Sequence, residues 1–116
     1  MKANELRIGN FVLTSNDFIV KSYSPEGLYN LLKDIEKIKP IPLTEEWLLK
    51  FGFEKKLRYA GITVFYIKSF ELKYSHGSDI FIYDKTLIKY VHSLQNLYFA
   101  LTGEELTIKT TKQWKN

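Results

Sequence analysis

Two histidines, His76 and His92, are the only side chains here with an ordinary pKa near neutrality, so any general-base chemistry would have to start from one of them. A base needs a partner. His76 stands in the stretch His76-Gly77-Ser78-Asp79, beside a carboxylate, whereas His92 has Gln95 and Asn96 at the third and fourth positions that follow it, and so has no acid one turn away. Two histidines sixteen residues apart do not make the three- or four-ligand spacing that zinc needs. There is no cysteine, which excludes a thiolate nucleophile, a thiolate metal site and a disulfide framework, and mildly favours a reducing compartment. The six glycines are single and scattered, so there is neither a phosphate-cradling loop nor a nucleophile elbow. The expectation is a protein that is not an enzyme, with no catalytic residues, no cofactor and no metal.

Residue types suited to binding are more plentiful. Lys50, Lys55, Lys56 and Arg58 form the densest basic cluster, and it reads either as a solvated rim or as a contact to nucleic acid or an acidic surface. The net charge of +4 and the isoelectric point near 9.2 do not decide between them. Lys plus Arg exceed Asp plus Glu by one in each of the segments 1–40, 41–60, 61–90 and 91–116, as 6−5, 4−3, 4−3 and 3−2. Tyr59, Phe65, Tyr66, Phe70, Tyr74, Phe81 and Tyr83 stand in strand-like stretches, where they serve a core or stack bases of single-stranded RNA or DNA. A third candidate is His92, Gln95, Asn96 and Phe99, spaced i, i+3, i+4, i+7 in a segment without one charged residue from Tyr90 to Gly103. A solvated helix face carries charges, so this strip is either a partner-binding surface or is covered by a loop or tail of the same chain.

The elements that position these residues are organised around Ile41-Pro-Leu-Thr-Glu-Glu-Trp-Leu-Leu-Lys-Phe-Gly-Phe53. Pro40 and Pro42 hold the entry extended, Thr44 caps, Glu45 and Glu46 meet the positive end of the helix, and Gly52 followed by Phe53 has the form of a Schellman stop. Leu43 and Leu48 have the spacing of a hydrophobic staple. A short helix over 44–51 follows, with Trp47, Leu48 and Phe51 as a core stripe. Before it, residues 6–13 and 18–23 read as a hairpin with a bulge at Gly9, and Ser24-Pro25-Glu26-Gly27 reads as a turn. Leu28 to Leu32 and Ile35 to Ile38 are taken as strands completing a small curled, SH3-like sheet, although Leu28, Leu31, Leu32 and Ile35 also fit helical spacing. After it, strands at 57–60, 62–68, 70–75, 80–83 and 86–89 form an antiparallel meander, with a hairpin loop at 76–79 and a tight turn at Asp84-Lys85. A C-terminal helix over about 90–101 buries Val91, Leu94, Leu97, Tyr98 and Leu101 and stops at Gly103. Leu106 to Ile108 read as an edge strand. The fold class is α+β, with one domain over 1–108 and a basic tail over 109–116. No stretch has the length of a membrane span or of a signal peptide, so the expectation is a soluble protein in the host cytoplasm, with no membrane partner.

Three stretches carry a resemblance: Leu6-Arg-Ile-Gly-Asn-Phe-Val12, the organising stretch 41–53, and Lys89-Tyr-Val-His-Ser-Leu-Gln-Asn-Leu-Tyr-Phe-Ala-Leu-Thr-Gly-Glu-Glu-Leu106. With them the chain resembles a group of small proteins encoded in phages, prophages and mobile regions of Bacteroidota-type bacteria. Residues 14–39 and 55–88 depart from that pattern. The resemblance implies a phage-borne accessory protein, an inhibitor of bacterial defence. More narrowly, it is similar to an anti-CRISPR protein that acts on a type VI, RNA-guided RNA-cleaving effector or its guide-RNA complex. It carries over no catalytic residue.

Overall fold

The computed structural model describes residues 5–59 and 61–109, with nothing said of the side chains of Arg58 and Tyr59. The strands are β1 (Phe11–Leu13), β2 (Ile19–Lys21), β3 (Glu54–Tyr59), β4 (Ile62–Ile67), β5 (Phe70–Ser75), β6 (Ile80–Tyr83) and β7 (Thr86–Ile88). The helices are α1 (Pro25–Lys33), α2 (Glu45–Lys50) and α3 (Val91–Thr102). β1 and β2 make a two-stranded sheet, and β3 to β7 make a five-stranded antiparallel meander in chain order, which is the α+β class that the sequence implies. The chain divides into two compact units, Met1–Pro42 with Tyr90–Glu105, and Leu43–Lys89 with Leu106–Asn116.

In the first unit the β1–β2 hairpin pairs Phe11 with Lys21, Val12 with Val20 and Leu13 with Ile19. Gly9 has φ +97°, which only glycine adopts without strain, and its N–H donates to Ser22 O at 2.9 Å where the expected bulge lies. The strand reading of 28–38 and the curled SH3-like sheet are corrected here. Ser24 is an N-cap whose Oγ accepts from Gly27 N at 3.1 Å, Pro25 opens α1, and Ile35–Lys37 follow as a 3-10 turn. The residue types that favour a turn are those that start a helix, and the helical spacing of Leu28, Leu31, Leu32 and Ile35 decided which. Those four side chains pack, half-buried, with Val20 against a core of Leu6, Val12 and Ile38. α3 stops where expected, at Gly103 with φ +75°.

In the second unit, α2 carries the anticipated cap and stop. Trp47 N donates to Thr44 Oγ1 at 3.4 Å, Gly52 has φ +96°, Phe53 N donates to Leu48 O and Gly52 N to Leu49 O, each at 3.0 Å, which is the complete Schellman pair. Trp47, Leu48 and Phe51 are all buried. In the meander, cross-strand partners share a face. The rows Lys55–Phe65–Leu72 and Leu57–Thr63–Tyr74–Phe81–Ile88 line one side, and Lys56–Val64–Lys73–Ile82–Leu87 line the other. Tight turns put Lys68, Asp79 and Asp84 at positive φ. Residues 106–108 form no strand; Leu106 is buried, and Lys109 N donates to Lys50 O at 2.9 Å. Of the tail expected over 109–116, only Lys109 lies among the described residues.

Candidate functional site

The uncharged strip on α3 is the first place to look for a surface, and the chain itself occupies it. Gln95 is fully buried: its Nε2 donates to Gly9 O at 2.8 Å, and its Oε1 accepts from Phe11 N at 2.9 Å. Asn96 donates from Nδ2 to Glu5 O at 2.7 Å, and its Oδ1 accepts from Arg7 Nε at 2.8 Å and Asn10 Nδ2 at 3.0 Å. His92, 1% exposed, sets Nε2 3.1 Å from Glu5 Oε1. A proton on Nε2 makes that contact a donated bond and leaves buried Nδ1, which has no partner, as a bare lone pair. Arg7 completes the set, donating to Glu105 Oε2 at 2.7 Å and Gln95 O at 3.2 Å, with its guanidinium 4.5 Å from the centre of the Phe99 ring.

The strip expected to bind a partner is thus largely turned inward: apart from His92 Nδ1, the side-chain polar atoms of His92, Gln95 and Asn96 are used within the chain, and of the four residues only Phe99 stays substantially exposed. The helix turns a wider face inward than its apolar spacing implies. Val91, His92, Leu94, Gln95 and Tyr98 are buried, while Leu101, expected in the core, is 52% exposed.

The lysines of the basic cluster each meet a different group. Lys55 and Lys56 alternate to opposite faces of β3. Lys55 Nζ pairs with Glu45 Oε2 at 2.6 Å, Lys56 Nζ stands 5.3 Å from the Tyr66 ring centre, and Lys50 Nζ lies 5.0 Å from the Trp47 ring centre and 3.9 Å from Glu46. The Arg58 side chain is outside the described residues. Among the sheet aromatics, Phe65, Phe70 and Phe81 are buried, with Phe65 and Phe81 ring centres 6.0 Å apart, so they offer no face to a base. Tyr66, Tyr74 and Tyr83 are half-buried, and Tyr59 again falls outside the description.

A groove of about 310 Å³ beside β3 is lined by Glu45, Lys55, Lys56, Leu57, Thr63 and His76. At its base His76 Nε2 is 2.7 Å from Thr63 Oγ1. Asp79, the carboxylate that the sequence places beside His76, accepts instead from the Tyr74 hydroxyl. That bond, with desolvation and the charges of Asp79 and Glu45 behind it, raises the Tyr74 pKa above the ordinary tyrosine value. Among the described residues no carboxylate bonds to His76 and no group of three or more His, Cys, Asp or Glu is placed to hold a metal ion. No helix among them is long and apolar enough to cross a membrane.

The region with open chemistry is the hairpin. Ile19 and Lys21 share one face of β2, which we call the outer face, Tyr23 follows just past the end of the strand beside Lys21, and Phe18 stands at the tip. Exposure is 68% for Phe18, 50% for Ile19 and 81% for Tyr23. Lys21 Nζ lies 5.0 Å from the Phe11 ring centre and 5.4 Å from that of Tyr23. Here a signal was readable and unused: in Phe18-Ile-Val-Lys-Ser-Tyr23 both parities carry large apolar residues, Phe18 and Val20 on one, Ile19 and Tyr23 on the other. One core can take only one of the two sets.

Comparison with family models, curated proteins and solved structures finds no match.

Proposed function

We propose that this chain is a non-catalytic interaction protein that engages a partner through the outer face of its β1–β2 hairpin. The observation that carries the reading is the exposure of Phe18, Ile19 and Tyr23 around Lys21. Large apolar side chains this exposed and this close in sequence are what a docking face presents, and tyrosine supplies contact area with little entropy to lose. The kind of partner comes from the resemblance: an RNA-guided effector nuclease of a bacterial defence system, or its guide-RNA complex, inhibited by a phage- or prophage-encoded protein.

The test is a cleavage assay with a type VI effector loaded with guide RNA. Added chain is expected to stop target-RNA cleavage, and Tyr23→Asp is expected to restore it while the fold is kept. Undiminished cleavage at saturating chain rejects the partner class; inhibition untouched by Tyr23→Asp rejects the hairpin as the contact. The alternative, a module that binds RNA or single-stranded nucleic acid directly through sheet aromatics and lysines, rests on rings of which three are buried and on lysines of which two are ion-paired.

A further inference from the structure

The two outer edges of the hairpin differ. Thr14 N donates to Phe18 O at 2.8 Å and Gly9 N to Ser22 O, so in the antiparallel alternation the backbone groups of Val12 and Val20 face each other. Those of Phe11, Leu13, Ile19 and Lys21 then point outward. On the β1 side they are closed. Phe11 N donates to Gln95 Oε1, Leu13 N donates to Lys39 O at 2.9 Å, and Lys39 N donates to Leu13 O at 2.8 Å. On the β2 side no group among the described residues closes Ile19 or Lys21.

Resting on the reading of the hairpin as a docking face, we propose that β2 is a receptor edge: an extended segment of the partner protein adds to it as a third strand and sets an acidic side chain against Lys21. Strand addition takes its affinity from main-chain hydrogen bonds and its specificity from alternate side chains. Both are present on one edge. Ile19 and Lys21 stand at the two-residue spacing of a strand, Tyr23 lies just past its end with its ring 5.4 Å from the Lys21 ammonium, and Ile19 and Tyr23 would contact apolar residues of the incoming segment on either side of its carboxylate. Lys21 makes no ion pair among the described residues; its ammonium rests on two aromatic rings, so an incoming carboxylate meets an uncompensated positive charge. Phe18 to Tyr23 carry no proline, so the outward amides there can donate to an added strand.

The probe is a synthetic nonapeptide of alternating valine and threonine with one central glutamate, compared with its glutamine counterpart, on the full chain by amide hydrogen exchange. Exchange at the Ile19 and Lys21 amides is expected to slow about tenfold or more at saturating peptide, while the Val20 amide, already bonded to β1, stays as it was. The glutamine peptide should bind about two- to fivefold more weakly, the range of an opposite-charge cross-strand pair. Ile19→Pro removes one outward N–H and no hairpin bond, and should abolish binding; protection at Val12 and Val20 reports whether the hairpin is intact. If that variant loosens the hairpin, Lys21→Gln decides, because it should erase the difference between the two peptides. Binding that leaves the Ile19 and Lys21 amides exchanging freely overturns strand addition, as does no binding of either peptide. Neither result touches the hairpin as a docking face, which the cleavage assay with Tyr23→Asp tests separately. Concentration-dependent protection of the same amides without peptide would assign the edge to a second copy of this chain. Salt-sensitive shifts at Lys21 and Tyr23 with oligouridine would assign it to nucleic acid. Either outcome overturns the proposal.

Discussion

The strip on α3, rich in amides and without charge, and the outer face of the hairpin, apolar around one lysine, meet opposite fates. On α3 every amide of Gln95 and Asn96 is matched to a group of the segment Glu5–Phe11. On the hairpin, Ile19 and Tyr23 stay open. Depletion of charge shows that a face will be covered and does not show by what; the destination of the backbone hydrogen bonds does. Gln95 is the clearest case. Its side chain closes the outer edge of β1, which is why a glutamine with both amide groups satisfied is stable at zero exposure.

The closed end of that contrast can be set by an apolar reference. Trp47 is buried with its ring centre 5.7 Å from that of Phe51, and Trp47→Ala should cost about 3 to 5 kcal/mol in chemical denaturation. A loss under about 1 kcal/mol would move Trp47 out of the core and make it a candidate contact. Next in size is Gln95→Ala. It removes the acceptor of the buried Phe11 N–H and the donor to the half-buried Gly9 C=O; at about 1 to 3 kcal/mol for the buried group and less for one that water can reach, the expected loss is about 2 to 4 kcal/mol. Should Gln95→Ala melt like the wild type, the strip would not be the lock described, and its availability to a partner would reopen.

Arg7→Ala sits lower. Its guanidinium bonds to Glu105, Asn96 and Gln95 O, yet its side chain is 29% exposed and water can replace part of what is lost. The expected loss is about 1 to 2 kcal/mol, falling at high salt as the Glu105 pair is screened. Urea melts at low and high salt separate the ion pair from the contact with Phe99.

How much of this was legible follows from the range of the interactions involved. α2 could be read to the residue because Thr44, Gly52 and Phe53 act within a turn of the helix they bound. The meander could be read because Phe70, Leu72 and Tyr74 alternate with Glu71, Lys73 and Ser75, and the core face follows from that. Residues 25–33 failed at a local ambiguity, since Ser24-Pro25-Glu26-Gly27 satisfies a turn and a helix start alike. The α3 strip failed for a different reason: Gln95 and Gly9 are 86 residues apart, and nothing near either one announces the other. Leu6–Val12 and Lys89–Leu106, two of the three stretches on which the resemblance rests, hold both halves of that lock.

The smallest expected change in stability belongs to the residue expected to matter most for binding. Tyr23 is 81% exposed, and among the described residues its ring meets the Lys21 ammonium at 5.4 Å. Removing an exposed ring held by a single cation–π contact should shift stability by no more than about 0.5 kcal/mol. Tyr23→Ala should therefore melt with the wild type and still weaken partner binding by about tenfold or more, as the loss of a central aromatic anchor does. Gln95→Ala should show the reverse order, a large loss of stability with partner affinity kept in whatever fraction remains folded. If the two variants instead lose stability and affinity in proportion, the open face and the closed strip are not separable, and the hairpin has a structural role in place of a docking one.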